Sequence, residues 1–234
     1  MKDTLVAGAL ALAALAGSTA LASASVITVY VDEYDHAGGT LIASKSQVLV
    51  APVGSFGFKV GDFKLVSGYG TDNTGDQLVS GVSVQGTTTA KGKYLTVEVL
   101  ETGLTPITPN FTTSYSNNAP PKGWTITEQT FAGATSIFAP ISGTSTGVTT
   151  GVHSGAFTGG GSSTVPVSSP YSLEEFYTYT LSTTASVAKA TNSGITLTYT
   201  AVPEASTWAM MLAGFAGLGL FGFSRSQKGR VYEA

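Results

Sequence analysis

The chain has no cysteine, two histidines and two arginines among its 234 residues. Without cysteine there is no disulfide, so an exported domain of this sequence must be held by burial alone or by something it binds. His36 and His153 are too few and too far apart to suggest a metal centre, and each reads as a loop residue. Charge is scarce, with Asp, Glu, Lys and Arg making up 11% of the chain. Between residues 25 and 204 there are 7 basic and 12 acidic side chains, a net charge near −5. No basic patch supplies the electrostatic footprint of a nucleic-acid partner, which excludes that class. Helical periodicity is missing too. Outside the two ends, no window carries an apolar i, i+3, i+4 stripe over three turns.

What is plentiful is Gly, Ser and Thr, arranged with a period of two. Ile195, Leu197, Tyr199 and Ala201 alternate with Thr196, Thr198 and Thr200, the pattern of a half-buried strand. The same alternation runs through residues 27–32, 94–99 and 177–181, and further strands are expected over 41–50, 56–69, 77–84 and 124–131. Short strands separated by Gly, Asn, Asp and Pro turns predict a mainly β protein, an antiparallel β-sandwich. Between Phe131 and Pro170 the composition shifts to Gly, Ser, Thr and Pro, including Gly159, Gly160 and Gly161. Val148, Val152 and Phe157 are interspersed there, which favours short strands with long loops over a linker, with clear strands resuming at Phe176. Residues 25–201 therefore read as one domain, long enough to bury a core.

The ends read differently. Lys2 precedes a Leu/Ala-rich run over residues 5–16, and Ala22-Ser23-Ala24 fits an A-x-A cleavage site. A signal peptide of residues 1–24 is expected, a helix removed after Ala24. Near the other end, residues 208–223 contain no charge. As a helix this run would span about 24 Å, against about 30 Å of bilayer hydrocarbon. Trp208 suits the interface, and Arg225 and Lys228 can snorkel into headgroups and keep their side cytoplasmic. A C-terminal transmembrane helix is expected, with the folded domain outside.

Val202, Pro203 and Glu204, then Ser206, Thr207 and Trp208, the apolar run, and the basic cluster at Arg225 together resemble a PEP-CTERM sorting domain. Ala205 departs from that family's pattern, standing where a second proline is usual. The likeness covers residues 202–230 only. It implies recognition by exosortase, a membrane transpeptidase-like enzyme, after passage through the export machinery. It also implies a Gram-negative cell-surface or matrix destination and association with exopolysaccharide or biofilm. Upstream, the loop from Gly70 to Asp76 and the Leu95–Val99 and Glu101–Thr105 stretches are similar to bacterial surface β-sandwiches of unassigned activity. That second likeness adds a fold and no function.

The search for chemistry returns little. Gly143-Thr144-Ser145-Thr146-Gly147 fits G-x-S-x-G but lacks the following helix and the acid–histidine pair that a nucleophile elbow needs. Gly217-Leu218-Gly219-Leu220-Phe221-Gly222 fits G-x-G-x-x-G inside the apolar run, with no βαβ context. Asp32, Glu33 and Asp35, and Asp72, Asn73 and Asp76, form oxygen-rich loops that calcium could use, yet their spacing is ordinary turn chemistry. Paired carboxylates for glycoside hydrolysis would have to come from Glu98, Glu101, Glu174 or Glu175. Tyr34, Tyr69, Tyr115, Trp124, Tyr171 and Tyr177 could form a sugar-stacking platform or simply fill strands and core. The expectation is a non-catalytic domain with no catalytic residue, metal or cofactor. A structural or adhesive role is expected first and a carbohydrate-binding module second.

Overall fold

The computed structural model describes residues 26–49, 53–72, 77–104, 109–134, 144–145, 152–164, 171–201 and 210–215. The protein is mainly β, built as two antiparallel six-stranded sheets that share one hydrophobic core, consistent with a β-sandwich. Sheet A contains β1 (Val26–Tyr34), β2 (Leu41–Leu49), β6 (Tyr94–Leu104), β8 (Trp124–Ala134), β9 (Thr144–Ser145) and β11 (Tyr171–Leu181), in the order β2-β1-β6-β11-β8-β9. Sheet B contains β3 (Val53–Val60), β4 (Phe63–Asp72), β5 (Gln77–Gly86), β7 (Pro109–Asn117), β10 (Phe157–Thr164) and β12 (Thr191–Ala201), in the order β10-β7-β12-β5-β4-β3.

The period-two pattern decides which face goes inward. In β1, Ile27, Val29 and Val31 are fully buried while Thr28, Tyr30 and Asp32 face outward. Val97 and Val99 of β6, Leu78, Val82 and Val84 of β5, and Ile195 and Leu197 of β12 meet them in the core. Each such side chain contributes about 1.5–3 kcal/mol through removal from water. In a chain without disulfides, this core is the main force holding the sheets together.

The strand expectations meet three outcomes. The strands expected over 56–69 are β3 and β4, separated by a turn in which Gly61 takes a positive φ of 48°. The Asp62 amide in that turn donates to the Glu33 carboxylate at 2.7 Å, which ties the β3–β4 corner to sheet A. Second, the glycine-rich stretch carries the short strands expected there, β9 and β10, with β10 paired residue for residue with β7. Backbone hydrogen bonds need no side chains, so three consecutive glycines do not prevent pairing at a sheet edge. Third, β11 starts at Tyr171 rather than Phe176, and β7 was not foreseen as a strand at all.

The signal segment with Ala22 and Ala24, and Val202, Pro203, Glu204, Trp208 and Arg225, lie outside the described residues. Residues 210–215 form a short helix whose Met210, Leu212 and Phe215 are exposed. Among the described residues no helix is long and apolar enough to cross a membrane.

Candidate functional site

Sheets A and B differ in where they keep their polar groups. The inner face of sheet A carries Glu101, Glu128 and Glu175, each fully buried. Glu175 sits opposite Val99 on β6 and Thr130 on β8, and Glu128 sits opposite Tyr177. The Ser80 hydroxyl of β5 donates across the core to Glu175 and lies 2.6 Å from the Tyr177 hydroxyl. Tyr177 in turn donates to the Ser80 carbonyl at 3.1 Å and accepts the Ile195 amide at 2.9 Å. Further along, Thr130 lies 3.1 Å from the Thr113 hydroxyl and 3.3 Å from that of Tyr115. The two sheets are thus stitched by hydroxyls and carboxyls as well as by apolar contact.

Burial sets the electrostatics of these groups. It pushes the Glu128 carboxyl up to about 8, and it holds Glu175 well above the ordinary range despite the offsetting Ser80 hydrogen bond and with added repulsion from Glu101. On the opposite face of sheet A, burial raises Glu98 to about 7 with help from Asp32, and Glu174 to about 8 with help from Glu98. No lysine among the described residues is buried with them. At neutral pH desolvation therefore favours the neutral acid at Glu128 and Glu175.

This placement divides the four glutamates expected as hydrolytic candidates. Glu101 and Glu175 face the core, while Glu98 and Glu174 share the other face as diagonal neighbours across β6 and β11. Desolvation shifts both members of that outer pair upward, and neither is singled out as the ionised partner. The calcium candidates also part company. Asp32 and Glu33 point to opposite faces of β1, and Asp35 is engaged by the Thr40 amide and by His36 Nδ1, each at 2.8 Å. Among the described residues no three acidic or histidine side chains are placed to hold a metal ion. His153 stacks on Phe157 at 3.7 Å and makes an isolated bridge to Ile126. Of the G-x-S-x-G match, only Thr144 and Ser145 are described, as the short strand β9.

The aromatic candidates sort cleanly. Trp124 is 1% exposed and donates its indole N–H to the Ser186 carbonyl at 2.6 Å, a core anchor rather than a platform. Tyr115, Tyr171 and Tyr177 are buried as well, and Tyr34 packs edge-on against Tyr94 at 5.9 Å. Tyr69 alone of the six is exposed, at 46%.

Tyr69 borders a groove of about 540 Å³ on the outer face of sheet B. One cross-strand row forms its floor: Thr158 faces Ser116, Ser116 faces Gly194, Gly194 faces Gly81, and Gly81 faces Tyr69. Two glycines side by side remove the centre of the row and hollow the sheet. A Cβ on Gly81 would come within 2.6 Å of the Tyr69 ring, so the ring lies across that glycine. The neighbouring row supplies Asn192, Ser83 and Ser67. None of the described residues lining the groove is charged. The sequence reading had Tyr69 as one candidate of six and missed Ser116, Asn192 and the glycine pair. The available signal was a glycine interrupting each of two strands, which marks close backbone approach or open space.

No known family model matches the chain, and no curated protein sequence is similar to it.

Proposed function

We propose that this is an exported surface or matrix protein, sorted by a PEP-CTERM-like tail, whose β domain is a non-catalytic structural or adhesive component associated with exopolysaccharide. The observation that carries this reading is the tripartite segment of Val202-Pro203-Glu204, the uncharged run from Trp208, and the basic cluster at Arg225. The signal-like segment ending at Ala22 and Ala24 supports it from the other side, because export is what such a tail presupposes. In this reading the chain is helical in the signal and the membrane segment, and the tail is handled by exosortase before release to the surface or matrix. The non-catalytic part is supported by Glu101, Glu128 and Glu175 facing the core and by the lack of any carboxyl among the described residues lining the groove of sheet B.

Intact mass and fractionation of the protein from its host, with and without exosortase, test this reading. Loss of the tail near Pro203-Glu204 only when exosortase is present is the expected result. Retention of the tail in both strains, with the protein still in the membrane, would reduce the segment to a simple anchor and point to Ala205.

A second reading, a surface-retained carbohydrate-binding module, is favoured by one observation. The exposed Tyr69 ring borders an open groove whose described lining is uncharged and rich in hydroxyls and amides.

A further inference from the structure

We propose that the groove across sheet B is a binding site for a neutral polysaccharide strand, with Tyr69 as its stacking platform and the Gly81–Gly194 pair as its floor. The assignment rests on the carbohydrate-binding reading and gives it a place. The groove draws residues from β4, β5, β12, β7 and β10, so it runs across the strands rather than along them. At about 4.8 Å between strands, five strands span about 19 Å, a linear footprint suited to an extended chain.

Chemistry narrows the occupant. A peptide adding as a strand needs an unpaired sheet edge, whereas four of these five strands are paired on both sides. A polyanion needs cations, and neither the described lining residues nor the net charge of the exported part supplies them. An apolar small molecule needs a mostly hydrophobic wall, and here the wall is Ser, Asn, Thr and Gly apart from Tyr69 and Val82. A neutral sugar chain matches what remains. Its C–H faces stack on an aromatic ring, and its hydroxyls exchange hydrogen bonds with Ser116, Asn192 and Ser83.

A purely structural origin explains only half of the arrangement. An aromatic ring covering a strand glycine compensates for the missing side chain, which accounts for Tyr69 over Gly81. Gly194 has no such cover. The nearest atoms to a Cβ placed there are the Ser116 hydroxyl at 3.3 Å and the Ser80 carbonyl at 3.5 Å, so a side chain would fit with a small shift. A β-branched residue there would serve a strand better, yet the position is left bare at the centre of the groove.

The test is affinity electrophoresis of the full chain in detergent, in gels containing mixed-linkage β-glucan, β-1,3-glucan, galactomannan or dextran, with alginate as the polyanionic control. The expected result is retardation by at least one neutral polysaccharide and none by alginate, with apparent affinity falling tenfold or more in both Tyr69→Ala and Gly194→Val. Gly194→Val adds strand propensity and fills the floor, so a thermal midpoint that is unchanged or raised separates blocked binding from a damaged fold. No retardation in any of the four neutral gels overturns both the module reading and this site. Retardation that survives both substitutions overturns the site alone and moves binding to another face. Retardation by alginate alone overturns the neutral-ligand assignment.

Discussion

Sheet A turns carboxyls inward, and sheet B turns uncharged amides and hydroxyls outward. Glu101, Glu128 and Glu175 lie in the core, whereas Ser116, Asn192 and Tyr69 line open space. The contrast separates two uses of polar side chains. Inside, a carboxyl is kept neutral by desolvation and works as a hydrogen-bonding group that depends on pH. Outside, amides and hydroxyls keep the same character at every physiological pH and suit recognition of an uncharged partner. Stability should therefore respond to titration and leave the groove unchanged, while groove substitutions should change binding and leave stability nearly unchanged.

The largest expected effect comes from titrating the buried carboxyls of sheet A. Glu128 and Glu174 have carboxyls raised from 4.5 to about 8. Between those pH values the folded protein binds more protons than the unfolded chain. Their contribution is complete below pH 4.5 and is lost as pH rises toward 8, at up to about 1.4 kcal/mol per pH unit for each group. Urea midpoints should fall from pH 4.5 to pH 8.5 by an amount equivalent to several kcal/mol. A flat or rising profile would mean that these carboxyls are ionised and compensated in the folded state.

Next in size is Trp124→Ala, with an expected loss of about 3–5 kcal/mol in denaturant unfolding from the cavity alone. It also strands the Ser186 carbonyl, which accepts the indole N–H. Because Trp124 is buried far from the groove row, any saccharide retardation should persist in the folded fraction. Loss of binding at unchanged stability would return Trp124 to the platform role that its residue type suggested.

Glu175→Gln sharpens the same contrast with a smaller change. The amide oxygen can still accept the Ser80 hydroxyl, but the side chain no longer ionises. The slope of stability against pH should flatten by one group's share, about 1.4 kcal/mol per unit. The variant should match the natural protein near pH 4.5 and exceed it at pH 8.5. The same slope in both proteins would show that Glu175 does not titrate in this range.

How much of this was legible follows from what period two can and cannot encode. Alternation in 27–31, 95–99 and 195–201 marks strands and their inward faces, and those faces are where the structure buries them. It sets no bounds for β10, where glycine leaves no apolar alternation to read, and it does not mark where the Gly61 turn divides β3 from β4. Glutamate in a strand reads as a solvent-facing residue that protects an edge, yet Glu101 and Glu175 occupy inward positions of central strands. Glu175 is held there by the Ser80 hydroxyl of the other sheet, 95 residues away. The groove was illegible for the same reason. Ser116, Gly194, Gly81 and Tyr69 come from four strands and become neighbours only through register.

The smallest effect divides two glycines that face each other. Gly194→Ala adds a methyl against a hydroxyl that can rotate aside, and replacing a strand glycine by alanine removes about 0.5–1 kcal/mol of entropic penalty. Gly81→Ala earns the same entropic gain, but its methyl meets the Tyr69 ring at 2.6 Å and lifts it off the floor. The first variant should unfold at a slightly higher temperature than the natural protein, and the second at the same temperature or slightly lower. If both variants gain equally, the Tyr69 ring contributes nothing by lying across Gly81. Its position would then be free to adapt to a bound chain, rather than fixed in advance of one.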